Sequence, residues 1–401
     1  MIACTFMLNV PKVSDTFEGW VVWKLNRPTP SLASVRYRCL IPILAHPVLR
    51  ARSVILDGDR KWRTLRDVRA LIFVKSFRRS DVTLARDAAR KGVPIYVDIC
   101  DNIFANGYGG RDGKEIRRNF LALAALADKI VTNGEGLNAQ LSRALPAPIA
   151  AKLEIQVDPF ETRELVSAAI DTRQWPNKSV GNQLTKSAVI RSLPHKLRQY
   201  FSPAQQQQQQ QQKIADATSE LPQVLWFGSS GNAHNSQGLV ALSARMPELV
   251  RVYARVPFRL CIVSDNRERY EALISHRGIP SSFEQWGPLS IFDALTKSRA
   301  CLIPAMPDTF SQAKSANRLL FALAHRVPVV ASSIASYLPF ADCVVLDDFE
   351  GGLIRYLLDP ALCAAHLGAF VAKHERAYHP RHLAQHWSIR LGIQENELNA
   401  C

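Results

Sequence analysis

Short apolar runs of strand length recur in two series along this chain, with helical patterns between them, and this constrains the fold more than any other feature. The first series is "GWVVWKLN" (19–26), "RSVILDG" (52–58), "RALIFVKS" (69–76), "VPIYVDICD" (93–101), "DKIVTNG" (128–134) and "LEIQVDP" (153–159). The second is "QVLWFGSSG" (223–231), "FRLCIVSDN" (258–266), "SFEQWG" (282–287), "ACLIPAM" (300–306), "VPVVASS" (327–333) and "CVVLDD" (343–348). Runs that are apolar at successive positions suit strands covered on both faces, as in parallel sheets. Helical patterns lie between them: "SDVTLARDAARKG" (80–92) has a Ser/Asp start and a Gly stop, and "RRNFLALAALA" (117–127) follows. The pattern predicts an α/β protein of two Rossmann-like, doubly wound domains, and 401 residues exceed one ordinary core.

The expected divisions are an N-terminal domain over 1–161, a linker or insertion over 162–221, a C-terminal domain over 222–375 and a helical tail over 376–401. The insertion contains "SPAQQQQQQQQ" (202–212), a tract too polar to bury an ordered core. The eight cysteines form no C-x-x-C pair and several sit in apolar runs, which suggests reduced, packed thiols. No apolar run suits a bilayer span, and the first residues lack a basic region followed by an apolar core. A cytoplasmic protein is expected, with peripheral contact at the inner membrane face as an addition.

Charge points to the partner. The net charge is +15, and residues 1–160 carry 25 Lys and Arg against 15 Asp and Glu, or +10. A basic first domain favours an anionic partner: an acidic lipid surface, a phosphorylated acceptor or nucleic acid. A solubility bias explains the same numbers. "RKWRTLRDVRALIF" (60–73) mixes Arg with Trp62 and Leu65 and suits either an anionic membrane or a solvated face. No helix-turn-helix, zinc finger or aromatic RNA-binding motif appears, so nucleic acid ranks low.

Three stretches fall where ligands bind in open α/β sheets, at the carboxyl ends of strands. "WFGSSGNAHNSQG" (226–238) places Gly228, Ser229, Ser230, Gly231 and Asn232 after the first strand of the second domain, where small residues bring backbone N–H groups to an anion. The competing reading is a tight connection. "AKSANRLLFALAHRVPVVAS" (313–332) reads as a helix feeding a buried strand. Its first turn holds Lys314, Ser315, Asn317 and Arg318, with Lys314 and Arg318 on one face. These groups suit a diphosphate, and a solvated basic face explains only the cations. "YVDICDNIFANGYGG" (96–110) ends a strand in Asp98, Asp101 and Asn102, which suits a sugar hydroxyl, a cation or a base, or simply Asx turns.

With these residues in view, the chain resembles the GT-B glycosyltransferases of the large retaining "group 1", or family 4-like, class. "SLASVRYRCLIP" (31–42) is similar to a family Ser-x-x-Arg-Tyr-Arg segment. "IYVDICDNIF", "ADKIVTNGEGLNAQL", "IQVDPFE" and "FEQWGPLSIFDALTKSRACLIP" follow in the family's order, and "ALAHRVPVVAS" is similar to its most recurrent segment. The resemblance covers roughly 30–160 and 222–385. It implies two domains facing a cleft, a nucleotide-sugar co-substrate held by the second and an acceptor bound by the first. It implies no metal and no other cofactor, because a helix terminus and cations stabilise the leaving diphosphate. Lys314, Arg318 and Asp101 become the expected catalytic residues. Gly228, Ser229, Ser230, Gly231, Asn232, Ser315 and Asn317 are expected to bind the donor, and Ser34, Arg36 and Asn102 the acceptor. Two departures stand out. Ala313 and Phe321 occupy the positions of two family glutamates, and the loop after 227 offers Asn232, His234 and Gln237 where the family often has Arg and Lys. A phenyl ring cannot replace a carboxylate's acceptors, so ribose recognition must differ.

His382 and His386 are four apart with His379 near, a spacing that can hold zinc, but no Glu or Cys completes it and a helix packed across the domains is preferred. The resulting expectation is a metal-independent, hexosyltransferase-type enzyme of polysaccharide biosynthesis, moving a sugar from a nucleotide-sugar to a glycan or lipid-linked acceptor. The alternatives are a non-catalytic, glycosyltransferase-like binding protein and a basic membrane- or nucleic-acid-associated scaffold.

Overall fold

The computed structural model describes residues 4–5, 19–56, 67–171, 221–231 and 237–393. The first sheet has seven strands: β1 (Cys4–Thr5), β2 (Trp20–Leu25), β3 (Ser53–Leu56), β4 (Val68–Val74), β5 (Ile95–Ile99), β6 (Lys129–Thr132) and β7 (Leu153–Ile155), in the order β1-β3-β2-β4-β5-β6-β7. All pairings are parallel except β1 with β3. The second sheet is wholly parallel. It holds β8 (Gln223–Phe227), β9 (Arg259–Ser264), β10 (Ser281–Gln285), β11 (Ser298–Ile303), β12 (Val329–Ala331) and β13 (Val345–Leu346), ordered β10-β9-β8-β11-β12-β13. Every expected run contains a strand; the short antiparallel edge β1 has no counterpart in the sequence reading.

Strand β4 shows why the runs read as they do. Leu71 and Phe73 enter the core on one face, and Ala70, Ile72 and Val74 enter the core on the other. Side chains alternate along a strand, so a strand covered twice must be apolar at both sets of positions. The helices Arg79–Arg90 and Gly113–Leu126 cover the first face through Val82, Ala85, Phe120 and Leu123.

The helix Pro380–Arg390 at the far end of the described chain returns to the first sheet. Trp387 packs edge-on against Trp23 at 5.3 Å and Tyr96 at 6.2 Å. Tyr96 Oη donates to Arg390 O at 2.9 Å, and Arg69 Nε donates to Leu391 O at 2.7 Å. Arg163–Ile170 is also helical and bridges the domains, with Val166 in a second-domain core and Ala169 in a first-domain core. Eight residues of the stretch expected as an insertion are therefore helical, with an apolar face buried by both domains. The glutamine tract lies outside the described residues, as do residues 60–66 of the Arg- and Trp-rich stretch.

Cys39, Cys100, Cys261, Cys301, Cys343 and Cys363 are free thiols, and all but Cys100 are buried. No single helix among the described residues is long and apolar enough to cross a membrane.

Candidate functional site

Each parallel sheet has a point where its strand order reverses, and such points leave a crevice at the carboxyl ends. In the first sheet β2 and β4 flank that point, and in the second β8 and β11 do. A cleft of about 800 Å³ lies between the two, lined by Ser34 and Arg36 after β2, Lys75 after β4, Gly228 after β8 and Ala305 after β11.

The second-domain wall is built around Arg318. The sequence suggests a helix opening at Lys314, but the helix runs Asn317–Ala324, because Asp308 caps a separate turn, Thr309–Gln312, just before it. Asp308 accepts from Ser311 N–H and Ser311 Oγ at 2.8 Å each, which accounts for the "PDTFSQ" stretch. Lys314 and Ser315 thus sit in the connection, not on the helix, and the four-residue spacing does not place Lys314 and Arg318 on one helical face. Both cations still line the cleft, as do Ser315 and Asn317. The helix start has no side-chain cap and no acidic residue in its first turn, and Ser315, Asn317 and Arg318 at that end line the cleft. Arg318 Nη1 donates to Phe227 O at 3.3 Å, and its guanidinium also hydrogen-bonds buried Tyr337. Gly228 makes this approach possible: its φ is +154°, and a Cβ there would sit 3.0 Å from Arg318 Nη1.

The glycine loop differs from the expected cradle. Gly228 N–H donates to Val263 O at 3.1 Å, Ser230 N–H to Asp265 Oδ1 at 2.7 Å and Gly231 N–H to Ser229 Oγ at 3.3 Å. These amides are committed within the protein, and Ser230 itself is buried. Burial raises the Asp265 carboxyl, but the hydrogen bonds from Ser230 and Ser264 outweigh it and hold the group below its ordinary range. Gly238 closes the loop, since a Cβ there would meet Ser229 O at 2.3 Å. Asn232 and His234 lie outside the described residues.

On the first-domain wall, Asp101 follows β5 and binds two ammonium groups, Lys75 of its own domain and Lys314 of the other, the latter at 3.2 Å. Burial raises the Asp101 carboxyl, yet the two lysines win and bring it down to about 2. Such a group is no base at neutral pH; it is an ion-pair acceptor. Lys75, in turn, loses ground to burial but is raised by Asp101. Lys75 holds a left-handed backbone with φ +47°, a conformation non-glycine residues rarely keep outside constrained sites. The sequence reading missed it; the available signal was a cation closing an otherwise apolar strand, "ALIFVKS".

Arg36 and Arg38 belong to one π-helical turn, Arg36–Leu40, and neither is free. Arg36 pairs with Glu161, donates to Pro30 O at 2.7 Å, and lies 5.3 Å over the Trp286 ring of the other domain. Arg38 bridges Asp98 at 2.7 Å and Asp158 at 3.0 Å. Asp98 is thus a buried ion-pair partner, not a cleft group. Asn102 turns away from the cleft: it donates to Gln140 and lines a separate groove. Ala313 is buried in the first-domain core, and Phe321 packs among Phe227, Phe292 and His325 at 4.7–5.9 Å.

Four carboxylates line the cleft, and all have partners: Asp101 the two lysines, Asp158 Arg38, Glu161 Arg36 and Asp265 the serine loop. Of the five lining cations, Arg318 alone has no carboxylate partner among the described residues. The site is therefore a cationic, partly aromatic slot suited to an anion flanked by a planar group. Away from it, Asp342, Cys343 and His374 bring metal-type ligand atoms within 4.8 Å of one another, with Lys373 already on Asp342. The His382 and His386 rings lie 4.7 Å apart.

No family model matches the chain, and no curated protein matches its sequence. Solved structures do. Anabaena Alr3699/HepE in complex with UDP-glucose is 11% identical, with a TM-score of 0.57 over 94% of this chain and 100% of that one. The UDP-forming α,α-trehalose-phosphate synthase of Burkholderia vietnamiensis is 10% identical, with a TM-score of 0.57 over 96% and 99%. An E. coli trehalose-6-phosphate structure bound with UDP-2-fluoro glucose is 10% identical, with a TM-score of 0.52 over 92% and 98%. These likenesses span both domains, and the fold is the two-domain α/β arrangement of GT-B proteins.

Proposed function

We propose that this chain is a GT-B glycosyltransferase of the retaining, group 1 kind, which moves a sugar from a nucleotide-sugar donor to a glycan or lipid-linked acceptor without a metal. One observation carries the reading: Arg318 is a cleft cation with no carboxylate partner among the described residues, set beside an uncapped helix start. A donor diphosphate would gain most at that place, and more as charge builds on it during bond cleavage. Lys314, Ser315 and Asn317 would share the diphosphate, and the aromatic wall of Phe227, Trp286 and Phe321 would receive the planar base. The neighbours' complexes with UDP-glucose and UDP-2-fluoro glucose support the same donor class.

A second reading, a nucleotide-sugar-binding protein without transfer, is favoured by the commitment of every described carboxylate in the cleft to a protein partner. One screen separates the two. Nucleoside diphosphates and nucleotide sugars are tested for thermal stabilisation, and stabilising sugars are then assayed for nucleoside diphosphate release with glycan acceptors. A ligand at about 100 times its Kd stabilises a fold by about 2.7 kcal/mol. Stabilisation by one nucleotide family, lost in Arg318→Ala, with release of diphosphate supports transfer. Stabilisation without release supports the binding protein. No stabilisation of a folded protein overturns both.

A further inference from the structure

Lys314 already has a partner at the place where a diphosphate would meet it. Its ammonium lies 3.2 Å from Asp101 Oδ1, and the pair crosses from the second domain to the first. We propose that Asp101 competes with the donor diphosphate for Lys314, so that nucleotide binding is linked to release of an ion pair tying the two domains. The inference rests on the nucleotide-sugar reading.

Three features make the exchange workable. Asp101 has a second cation, Lys75, so one carboxylate faces two ammonium groups and one positive charge is in excess. When Lys314 turns to a phosphate, Lys75 keeps Asp101 compensated, and no bare carboxylate is left in a largely buried place. Lys75 is fixed for this role: its N–H donates to Asp98 O at 2.9 Å, which helps hold the left-handed backbone at φ +47°. Lys314 is 40% exposed and its ammonium lies 4.0 Å from the Phe310 ring centroid, so the group meets Asp101 from the solvent side, where an arriving phosphate can reach it.

The released pair is one strut among several. Gln140 Nε2 still donates to Thr309 O at 2.9 Å, and Arg36 still lies over Trp286. Exchange therefore loosens the seam on the side of the cleft that Lys314 shares with Asp101, without parting the domains. Lys75 is a positioning residue: it acts on the diphosphate only through Asp101.

The test is a double-mutant cycle read by calorimetry, with UDP and inorganic pyrophosphate as probes, on the full chain, Asp101→Asn, Lys314→Met and the double variant. Competition predicts that Asp101→Asn binds UDP about fivefold or more tightly, a normal size for linked sites. The double variant should bind like Lys314→Met alone. Equal tightening by Asp101→Asn in both backgrounds would mean a mere field effect of the lost negative charge, and overturns the proposal. Unchanged or weaker binding in Asp101→Asn overturns it too. The tie has its own readout: without added nucleotide, amide exchange over 309–315 should be faster in Asp101→Asn and Lys314→Met than in the parent. Unchanged exchange overturns the tie whatever the nucleotide does. A parent protein that binds neither probe, yet shows faster exchange in the variants, overturns the competition and points to failure of the nucleotide reading.

Discussion

Arg38 and Asp98, sixty positions apart, form a bidentate ion pair: Arg38 Nε lies 3.0 Å from both carboxylate oxygens and Nη2 lies 2.7 Å from Oδ2. Arg38 Nη1 reaches Asp158 at 3.0 Å and also the Gln156 carbonyl. All three charged side chains are buried. Burial pushes the Asp98 carboxyl up against the pull of Arg38, the signature of a charge that depends on its partner. Removing that partner strands two carboxylates, and breaking a buried pair costs about 3–5 kcal/mol. Arg38→Met should lower stability by that amount. Arg38→Lys should recover only part of it, since one ammonium cannot form the planar fork. Urea unfolding of the three proteins decides; a neutral Arg38→Met would refute the account.

Asp101 sets part of the acid stability. Its carboxyl is held at about 2 in the folded chain, below the ordinary 3.8, because the two lysines outweigh burial. A group depressed on folding contributes stability above its unfolded pKa and loses it as pH falls through the folded one. The difference is worth about 2 kcal/mol, present above about pH 5 and lost towards about pH 2. Urea midpoints from pH 6 to 2.5 should fall more steeply in the parent than in Asp101→Asn. Parallel curves would show that the lysines do not stabilise this carboxylate.

Gly136 lies where the domains touch. A Cβ on it would come within 2.4 Å of Gln312 O and 3.3 Å of Ala335 Cβ. The residue lies in the helix Glu135–Ala144, where alanine is intrinsically better than glycine by about 1 kcal/mol. The backbone oxygen cannot move aside as a flexible side chain would, so the clash should win. Gly136→Ala is expected to lose about 1–3 kcal/mol, the usual range for overpacking. It should also weaken nucleotide binding, because Gln312 leads directly into Lys314. A stabilised Gly136→Ala with unchanged binding would show that the seam opens freely.

The strands were legible because a doubly covered strand writes its burial into consecutive residues, as Leu71, Ile72 and Phe73 do. Local pattern does not report what distant segments supply. Arg36 stands out in "SVRYR", but Glu161, 125 positions later, commits its guanidinium. Asp98 and Asp101 look alike at a strand end, and only the fold separates the buried partner of Arg38 from the cleft partner of Lys314. The helix start at Asn317 was misplaced because Asp308 caps its own turn first, so a phosphate-compatible run was read as continuous helix. Lys75 left one local trace, a cation closing the apolar run "ALIFVKS", but its left-handed backbone and its partner Asp101, 26 positions later, are set by the fold.

Trp387 tests how far the first domain depends on the C-terminal helix. Its indole is 1% exposed and packs on Trp23 of β2 and Tyr96 of β5, the strands on either side of β4. The polar ties around it, Tyr96 to Arg390 O and Arg69 to Leu391 O and Gly392 O, all need the helix seated at this depth. Truncating a buried Trp costs about 3–5 kcal/mol, and these hydrogen bonds sit beside solvent, so they cannot hold the helix alone. Trp387→Ala should therefore lose that much stability, whereas Trp387→Phe should keep most of it by retaining an edge-on ring. Amide exchange over 389–393 should accelerate in Trp387→Ala together with that of β2, since both lose the same contact. If exchange rises in the helix alone, the tail is an appendage, and the first sheet is stable without it.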